Sequence, residues 1–183
     1  MIAKTGIPTL NELTKACIRG DQKAQMQFYD QYYRMVYSTC LRIVHDQHLA
    51  EDMMQESFIK AFEALRNFDP EKPIIPWIKR IAIHQCVDHL KKRRIELFLD
   101  DEIEVAEEEE VISHGELAGI ESIKKAIGML SGGYQMILSL HLLEGYDHEE
   151  IAQILGIRSS TSRSQYLRAR KKLQGILIER SYV

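Results

Sequence analysis

Residues 96–123 hold eleven Asp/Glu and no Lys or Arg, in a chain of 183 residues. No other stretch restricts the fold as strongly. Asp100, Asp101, Glu102, Glu104 and Glu107 to Glu110 crowd together there. Like charges at that density repel one another and keep a chain extended. The hydrophobic periodicity fails from Ile95 to about Ser113. The segment therefore reads as a flexible linker and a domain boundary, although Glu is also a good helix former against a partner. The expected organisation is a first domain over 1–95, an acidic linker over 96–115 and a second domain over 116–183. The flanks are basic. Residues 1–95 carry 15 Lys/Arg against 11 Asp/Glu, and residues 124–183 carry 9 against 5. The overall charge of −3 hides this division. Phosphate attraction acts within a Debye length of about 8–10 Å, so the local balance decides, and it favours nucleic acid.

Composition sets the class. Hydrophobic residues make up 45%, charged residues 28%, and there are only 4 Pro and 10 Gly. That excludes collagen-like and wholly disordered chains. Apolar runs are a few residues long, too short to span a bilayer. Met1 to Leu10 lacks the apolar core of a signal peptide. The three cysteines, Cys17, Cys40 and Cys86, have no CxxC spacing. Reduced thiols and a cytoplasmic location are expected.

The periodicity is helical throughout, and strand and hairpin signals are scarce. Thr9 is a candidate cap for a short helix with Leu10, Leu13, Ala16 and Cys17 on one face, stopped at Gly20. Asp21 is a candidate N-cap for a long helix to about Val44, with Ala24, Phe28, Tyr32, Met35, Val36, Thr39, Cys40 and Ile43 inward. A third helix is expected from about Leu49 to Leu65, burying Ala50, Met53, Met54, Phe58, Ala61, Phe62 and Leu65. A loop with two prolines follows. Pro76 suits the first turn of a fourth helix to about Arg94, lined by Trp77, Ile78, Ile81, Ala82, Gln85, Cys86 and His89 or Leu90. In the second domain, Leu117, Ile120, Ile123, Ile127 and Leu130 give one helix, broken at Ser131-Gly132-Gly133. Tyr134 to Leu143 gives another, ended by Gly145. Asp147 caps a short helix, Gly156 turns the chain, and Ser160 or Thr161 opens a last helix to about Leu177. The fold class is all-α: two small helical domains, the second ending in a helix-turn-helix.

Three surfaces carry chemistry. A short helix, a glycine turn and a second helix rich in small polar residues at its start form a helix-turn-helix pattern over Asp147 to Leu173. From Arg158 to Lys172 there are six positive charges, Arg158, Arg163, Arg168, Arg170, Lys171 and Lys172, and no acid. Short hydroxyls and arginines suit phosphates and major-groove base edges. A second basic surface lies on the fourth helix, with Lys79, Arg80 and Lys91 to Arg94. Trp77 and Phe68 flank it, as aromatics that could stack an unpaired base do, although Trp77 reads first as core. The third surface is acidic: Glu51, Asp52, Gln55 and Glu56 share one helix face. An acidic face repels DNA and suits a basic protein. Catalytic and metal patterns are poor. Only Cys86 and His89 are spaced to share a metal, and no P-loop, GxSxG or HExxH occurs. His141 and His148 flank a helix junction without a carboxylate pair.

These motifs, in this order, resemble the extracytoplasmic-function group of the bacterial sigma-70 family over about residues 10–178. Leu49 to Phe58 is similar to the family's DAEDLVQETF segment. Pro76 to Ala82 is similar to its TWLYRIA segment, and Asp88 to Arg94 to its DxLRRRR ending. Glu149 to Ala152, Leu155 to Ile157, Thr161 to Ser164 and Arg168 to Leu173 match its second domain. The resemblance implies a transcription initiation factor that binds core RNA polymerase and directs it to promoters. It places the polymerase beta-prime clamp contact on Asp52, Gln55 and Glu56, and adds a beta-flap contact. It places minus-10 recognition and melting on Asn67, Phe68, Lys79, Arg80, His84, Asp88 and Lys91. It places minus-35 recognition on Ser160, Thr161, Arg163, Ser164, Leu167, Arg168 and Lys171. It also implies promoter DNA and an anti-sigma factor as partners, a monomer when free, and no cofactor, metal, small-molecule substrate or catalysis. The chain departs from the family in three places. His84 stands where Asn is frequent, Leu49 replaces the first Asp of DAED, and Ser159-Ser160 replaces an acidic-Gly pair.

A dimeric helix-turn-helix regulator with an N-terminal helical effector domain is the alternative. Such a domain has no reason for an acidic face followed by a basic aromatic helix over residues 49–94. A small metal-dependent hydrolase lacks a ligand set.

Overall fold

A computed structural model describes residues 10–93 and 119–181. Among these residues every regular element is helical. The acidic linker, the Thr9 cap, Arg94 and Leu117 lie outside the described residues. The chain divides into two compact units, Met1–Cys86 and Val87–Val183. The division falls within the fourth helix, ahead of the boundary expected at residue 95.

Helix α1 is Leu10–Ile18, α2 Gln22–Val44, α3 Gln47–Ala64 and α4 Ile74–Arg93. Gly20, at φ +82°, ends the first turn sequence between α1 and α2, a conformation that costs glycine little. Asp21 caps α2 by accepting the N–H groups of Lys23 (2.9 Å) and Ala24 (3.1 Å). Asp46 caps α3 by accepting from Leu49 at 2.8 Å. Only His45 and Asp46 separate α2 from α3, so the two pack as an antiparallel hairpin. His45 takes the left-handed conformation (φ 53°) that reverses the chain. Burial pushes its imidazole below the ordinary histidine range.

The expected inner faces are buried. On α2 these are Ala24, Phe28, Tyr32, Val36, Thr39, Cys40 and Ile43, with Met35 half-buried. On α3 they are Ala50, Met53, Met54, Phe58 and Ala61, with Phe62 half-buried. Phe28 is the centre: its ring lies 4.7 Å from Tyr32, 5.9 Å from Phe62 and 6.4 Å from Phe58. The buried side of α4 is wider than its periodicity indicated. Ile74, Ile83 and Val87 join Ile78, Ala82, Gln85 and Cys86, whereas Trp77, Ile81, His89 and Leu90 are half-buried. The helix also starts two residues before Pro76. Proline is tolerated anywhere in the first turn, where no N–H is needed.

In the second unit, α5 is Ile120–Gly128, α6 Gly132–Leu138, α7 His148–Leu155 and α8 Ser159–Ser181. Helix α6 runs on as a π-helical turn over Ser139–Leu143. Gly145, at φ +80°, ends it. Glycines 132 and 133 fall inside the first turn of α6 rather than outside a helix. Helices α5, α6 and α7 all pack on α8. The core between α5, α6 and α8 holds Ala126, Ile127, Leu130, Leu138, Ala169 and Leu173.

Candidate nucleic-acid and protein interfaces

The turn between α7 and α8 is built from local chemistry. Asp147 accepts the N–H groups of Glu149 and Glu150, each at 2.8 Å, and Glu150 accepts the N–H of Asp147 at 3.0 Å. This reciprocal capping fixes where α7 begins. Gly156, at φ +70°, then reverses the chain. The Arg158 carbonyl accepts the Ser162 N–H at 3.0 Å, so α8 opens at Ser159. Ser160 and Thr161 therefore sit within its first turn, one to two residues later in the helix than expected.

The first half of α8 has two sides. Ser162, Gln165, Ala169 and Leu173 are buried. Ser160, Arg163, Leu167 and Lys171 are exposed, with Thr161, Ser164 and Arg168 half-buried beside them. Three- and four-residue spacing puts Ser160, Arg163, Ser164, Leu167 and Lys171 on one stripe. The Ser164 hydroxyl donates back to the Thr161 carbonyl at 3.1 Å. Leu167 is 43% exposed between cations. An apolar group in that setting suits a thymine methyl. Lys172 does not join the stripe; its ammonium lies 4.4 Å from the centre of the Tyr134 ring.

On α4, Arg80, His84, Asp88 and Lys91 recur at helical spacing, Arg80 and Asp88 exposed, and Lys79, His84 and Lys91 half-buried. His84 Nδ1 lies 2.7 Å from the Arg80 carbonyl. A carbonyl only accepts, so Nδ1 carries the hydrogen and Nε2 is the nitrogen left to accept. Asn67 is exposed at the end of the 3-10 turn Leu65–Asn67. Phe68, expected to flank the basic surface, turns inward. It is 9% exposed, and its ring lies 4.7 Å from Trp77. The Phe68 N–H donates to the Leu65 carbonyl at 3.1 Å, which folds the loop inward. Trp77 is half-buried by the same contact.

On α3, Asp52, Gln55 and Glu56 are exposed opposite the buried side. Two further residues lie on or beside this surface. Ile59 is 59% exposed, one turn beyond Gln55 and Glu56. Lys60 donates to the Gln85 side-chain oxygen, and the Gln85 amide donates to the Glu56 carboxylate. Buried Gln85 thus joins α4 to the acidic face of α3. Cys86 is buried and faces Cys40, which raises its thiol pKa together with burial. No group of three or more His, Cys, Asp or Glu is placed to hold a metal among the described residues.

Comparison with known proteins assigns the chain to a family. The sigma-70 region 2 model matches residues 28–95, and the sigma-70 region 4 model matches residues 120–173. The gap between the two matches is the acidic segment. The chain is 31% identical over 186 residues to the RNA polymerase sigma-H factor of Pseudomonas aeruginosa, covering 92% of this chain and 95% of that protein. It is 28% identical over 168 residues to the ECF RNA polymerase sigma factor SigW of Bacillus subtilis, covering 85% and 90%. Among solved structures, it is similar to the sigma factor RpoE of Bartonella quintana in complex with the anti-sigma factor NepR (TM-score 0.55, 22% identity, 83% of this chain and 95% of that one). It is also similar to CnrH in complex with the cytosolic domain of CnrY (TM-score 0.54, 20% identity, 94% and 99%). No helix among the described residues is long and apolar enough to cross a membrane. The chain belongs to the extracytoplasmic-function group of the sigma-70 family of RNA polymerase sigma factors.

Proposed function

We propose that the chain binds core RNA polymerase and carries it to promoters by reading two DNA elements with its two basic bodies, residues 1–95 and 116–183. The observation that carries this reading is the stripe on α8. Ser160, Arg163, Ser164, Leu167 and Lys171 present hydroxyls, cations and one methyl-bearing side chain on one face of a helix fixed by a capped turn. That is the surface a major groove accepts. The minus-35 element belongs to this stripe together with Thr161 and Arg168.

The minus-10 element belongs to the α4 surface of Lys79, Arg80, His84, Asp88 and Lys91, with Asn67 beside it. Phe68, being buried, supports Trp77 and the loop rather than stacking a base. Unstacking a base costs a few kcal/mol and is offset by contacts to the opened strand. The acidic face of Asp52, Gln55 and Glu56 suits the basic surface of the beta-prime clamp, and the second body meets the beta flap. Tethering through residues 96–115 makes the second DNA contact effectively intramolecular once the first has formed. Opening a promoter by this route needs binding energy and no catalytic group. The free factor is monomeric, works in the cytoplasm and is held by an anti-sigma factor, as the Bartonella neighbour is in its complex.

Transcription in vitro tests the reading. Core polymerase from the source bacterium is given genomic fragments with and without the full chain. New start sites preceded by a shared pair of elements are expected. A chain that forms a dimer, binds duplex alone and leaves start sites unchanged would replace this reading with the dimeric regulator.

A further inference from the structure

Behind the reading stripe lies a cluster of rings that promoter recognition, as described, does not use. His141 sits on the π-helical turn and His148 is the first residue of α7. Their imidazoles stack 4.7 Å apart at 10°. Tyr166 of α8 closes the cluster edge-on, 4.6 Å from His141 and 5.3 Å from His148. His141 Nδ1 lies 2.8 Å from the Tyr146 carbonyl. That carbonyl only accepts, so this nitrogen bears a hydrogen and the ring is held in one orientation. His148 Nδ1 lies 3.0 Å from the hydroxyl of Ser162. The Ser162 side chain is wholly buried, and the next residue is Arg163 of the stripe.

We propose that His148, backed by His141, is a positioning residue for promoter reading: its bond to Ser162 sets the recognition helix α8, and protonation of His148 changes that setting. The inference rests on the reading of α8 as the minus-35 helix. Its chemistry is simple. In the tautomer that carries its hydrogen on Nε2, neutral His148 accepts the Ser162 hydroxyl at Nδ1. With His148 charged, Nδ1 acquires a hydrogen and must donate instead. The bond then runs the other way, the hydroxyl oxygen accepts from Nδ1, and the buried hydroxyl hydrogen must turn from the ring to another acceptor.

The surroundings favour the neutral form. Two stacked imidazoles cannot both be charged without repulsion. The start of a helix also disfavours a cation. The groups acting on His148 are His141 on the π turn, Arg163 and Tyr166 on α8, and Asp147 at the cap. Burial first, then His141 and Arg163, hold its pKa below the ordinary histidine value, against the pull of Asp147. The unfolded chain therefore binds this proton more readily than the folded one. The second unit loses stability as pH falls below about 6.5, the ordinary histidine value.

This gives a pH response opposite to simple electrostatics. Added positive charge beside a DNA-binding helix strengthens non-specific binding. The changed Ser162 setting weakens the specific kind. The test measures binding of the full chain to a duplex carrying the minus-35 element found in the transcription assay, and to a scrambled duplex, at pH 7.5 and 5.5 and fixed salt. The ratio of specific to non-specific affinity is expected to fall about five-fold on acidification, the size of one hydrogen bond. In His148→Asn, whose amide bonds Ser162 without titrating, the ratio is expected to stay flat. An equal fall in His148→Asn would overturn the proposal.

A second measurement needs no DNA. In the free chain, the NMR titration of the His148 ring is expected to share its midpoint with the amide shifts of Ser162 and Arg163. Amides that ignore that midpoint would also overturn it. If no duplex is preferred at any pH, the reading of α8 fails, and the NMR titration still decides whether the histidine pair holds the helix.

Discussion

Replacing Asp147 by Ala removes the cap of α7 and, with it, the two hydrogen bonds that the side chain accepts at 2.8 Å; the bond that Glu150 accepts at 3.0 Å comes from the backbone N–H, which Ala keeps. Loss of an N-cap aspartate costs about 0.5–2 kcal/mol. The lost negative charge at a helix N-terminus adds about 0.3–1 kcal/mol. Helix α7 has eight residues, so fraying of its first turn affects much of it. A total of about 1–3 kcal/mol lowers the melting temperature of a 60–100-residue domain by roughly 5–20 °C. Asp147→Asn keeps the cap and removes the charge, so only the smaller part of the shift is expected. The assay uses one feature of the sequence. Trp77 is the single tryptophan and belongs to the first unit. Its fluorescence follows that unit, whereas far-UV circular dichroism follows both. The Asp147→Ala chain is expected to lose helix signal earlier while the tryptophan transition stays in place. An unchanged dichroism transition would refute the capping argument. An equal shift in fluorescence would refute the independence of the two units.

Three further outcomes follow from the structure. Phe28→Ala empties the centre of the aromatic cluster and should destabilise the first unit by about 3–5 kcal/mol, read as an early Trp77 transition in urea. Arg163→Ala should lower affinity for the minus-35 duplex; if Arg163 meets a phosphate, the slope of log affinity against log salt should fall by about 1, and if it meets a base edge the preference between sequences should narrow instead. Cys17, whose thiol burial and the Asp21 carboxylate push up to about 11, and the buried Cys40 and Cys86 should resist a thiol-reactive dye at pH 8 and react together on unfolding; fast labelling of the native chain would contradict their placement.

Much of this fold can be read locally. Asp21 and Asp147 satisfy donors two and three residues ahead, so the sequence near each suffices to start a helix; Asp46, which accepts only from Leu49, starts α3 at Gln47, two residues before the expected Leu49. Gly20, Gly145 and Gly156 stand where φ is positive. What escapes a local reading is set by packing. Phe68 lies in a loop, and nothing around it indicates that its ring turns onto Trp77. Ile83 and Val87 fall off the simplest α4 stripe because that helix buries more than one side. The His141–His148 stack joins two residues across a π-helical turn that no spacing rule announces. The candidate sites divide in the same way. The α3 acidic face follows from helical spacing, whereas the residues of the α8 stripe come from the family resemblance. The bond from Gln85 to Glu56 and the bond from His148 to Ser162 needed coordinates, because each joins two helices.

In the proposed function a chain with two basic bodies and a net charge of −3 joins the polymerase through one acidic helix face. The most direct test is the binding of core RNA polymerase by the full chain and by Asp52→Arg/Gln55→Ala, both substitutions lying on the exposed side of α3. The native chain is expected to bind and to redirect initiation, and the variant to fold normally but bind at least about tenfold more weakly, as two lost interface contacts with one charge reversed imply. A variant that binds core polymerase as well as the native chain would contradict the assignment of that face, and a native chain that does not bind at all would contradict the account as a whole.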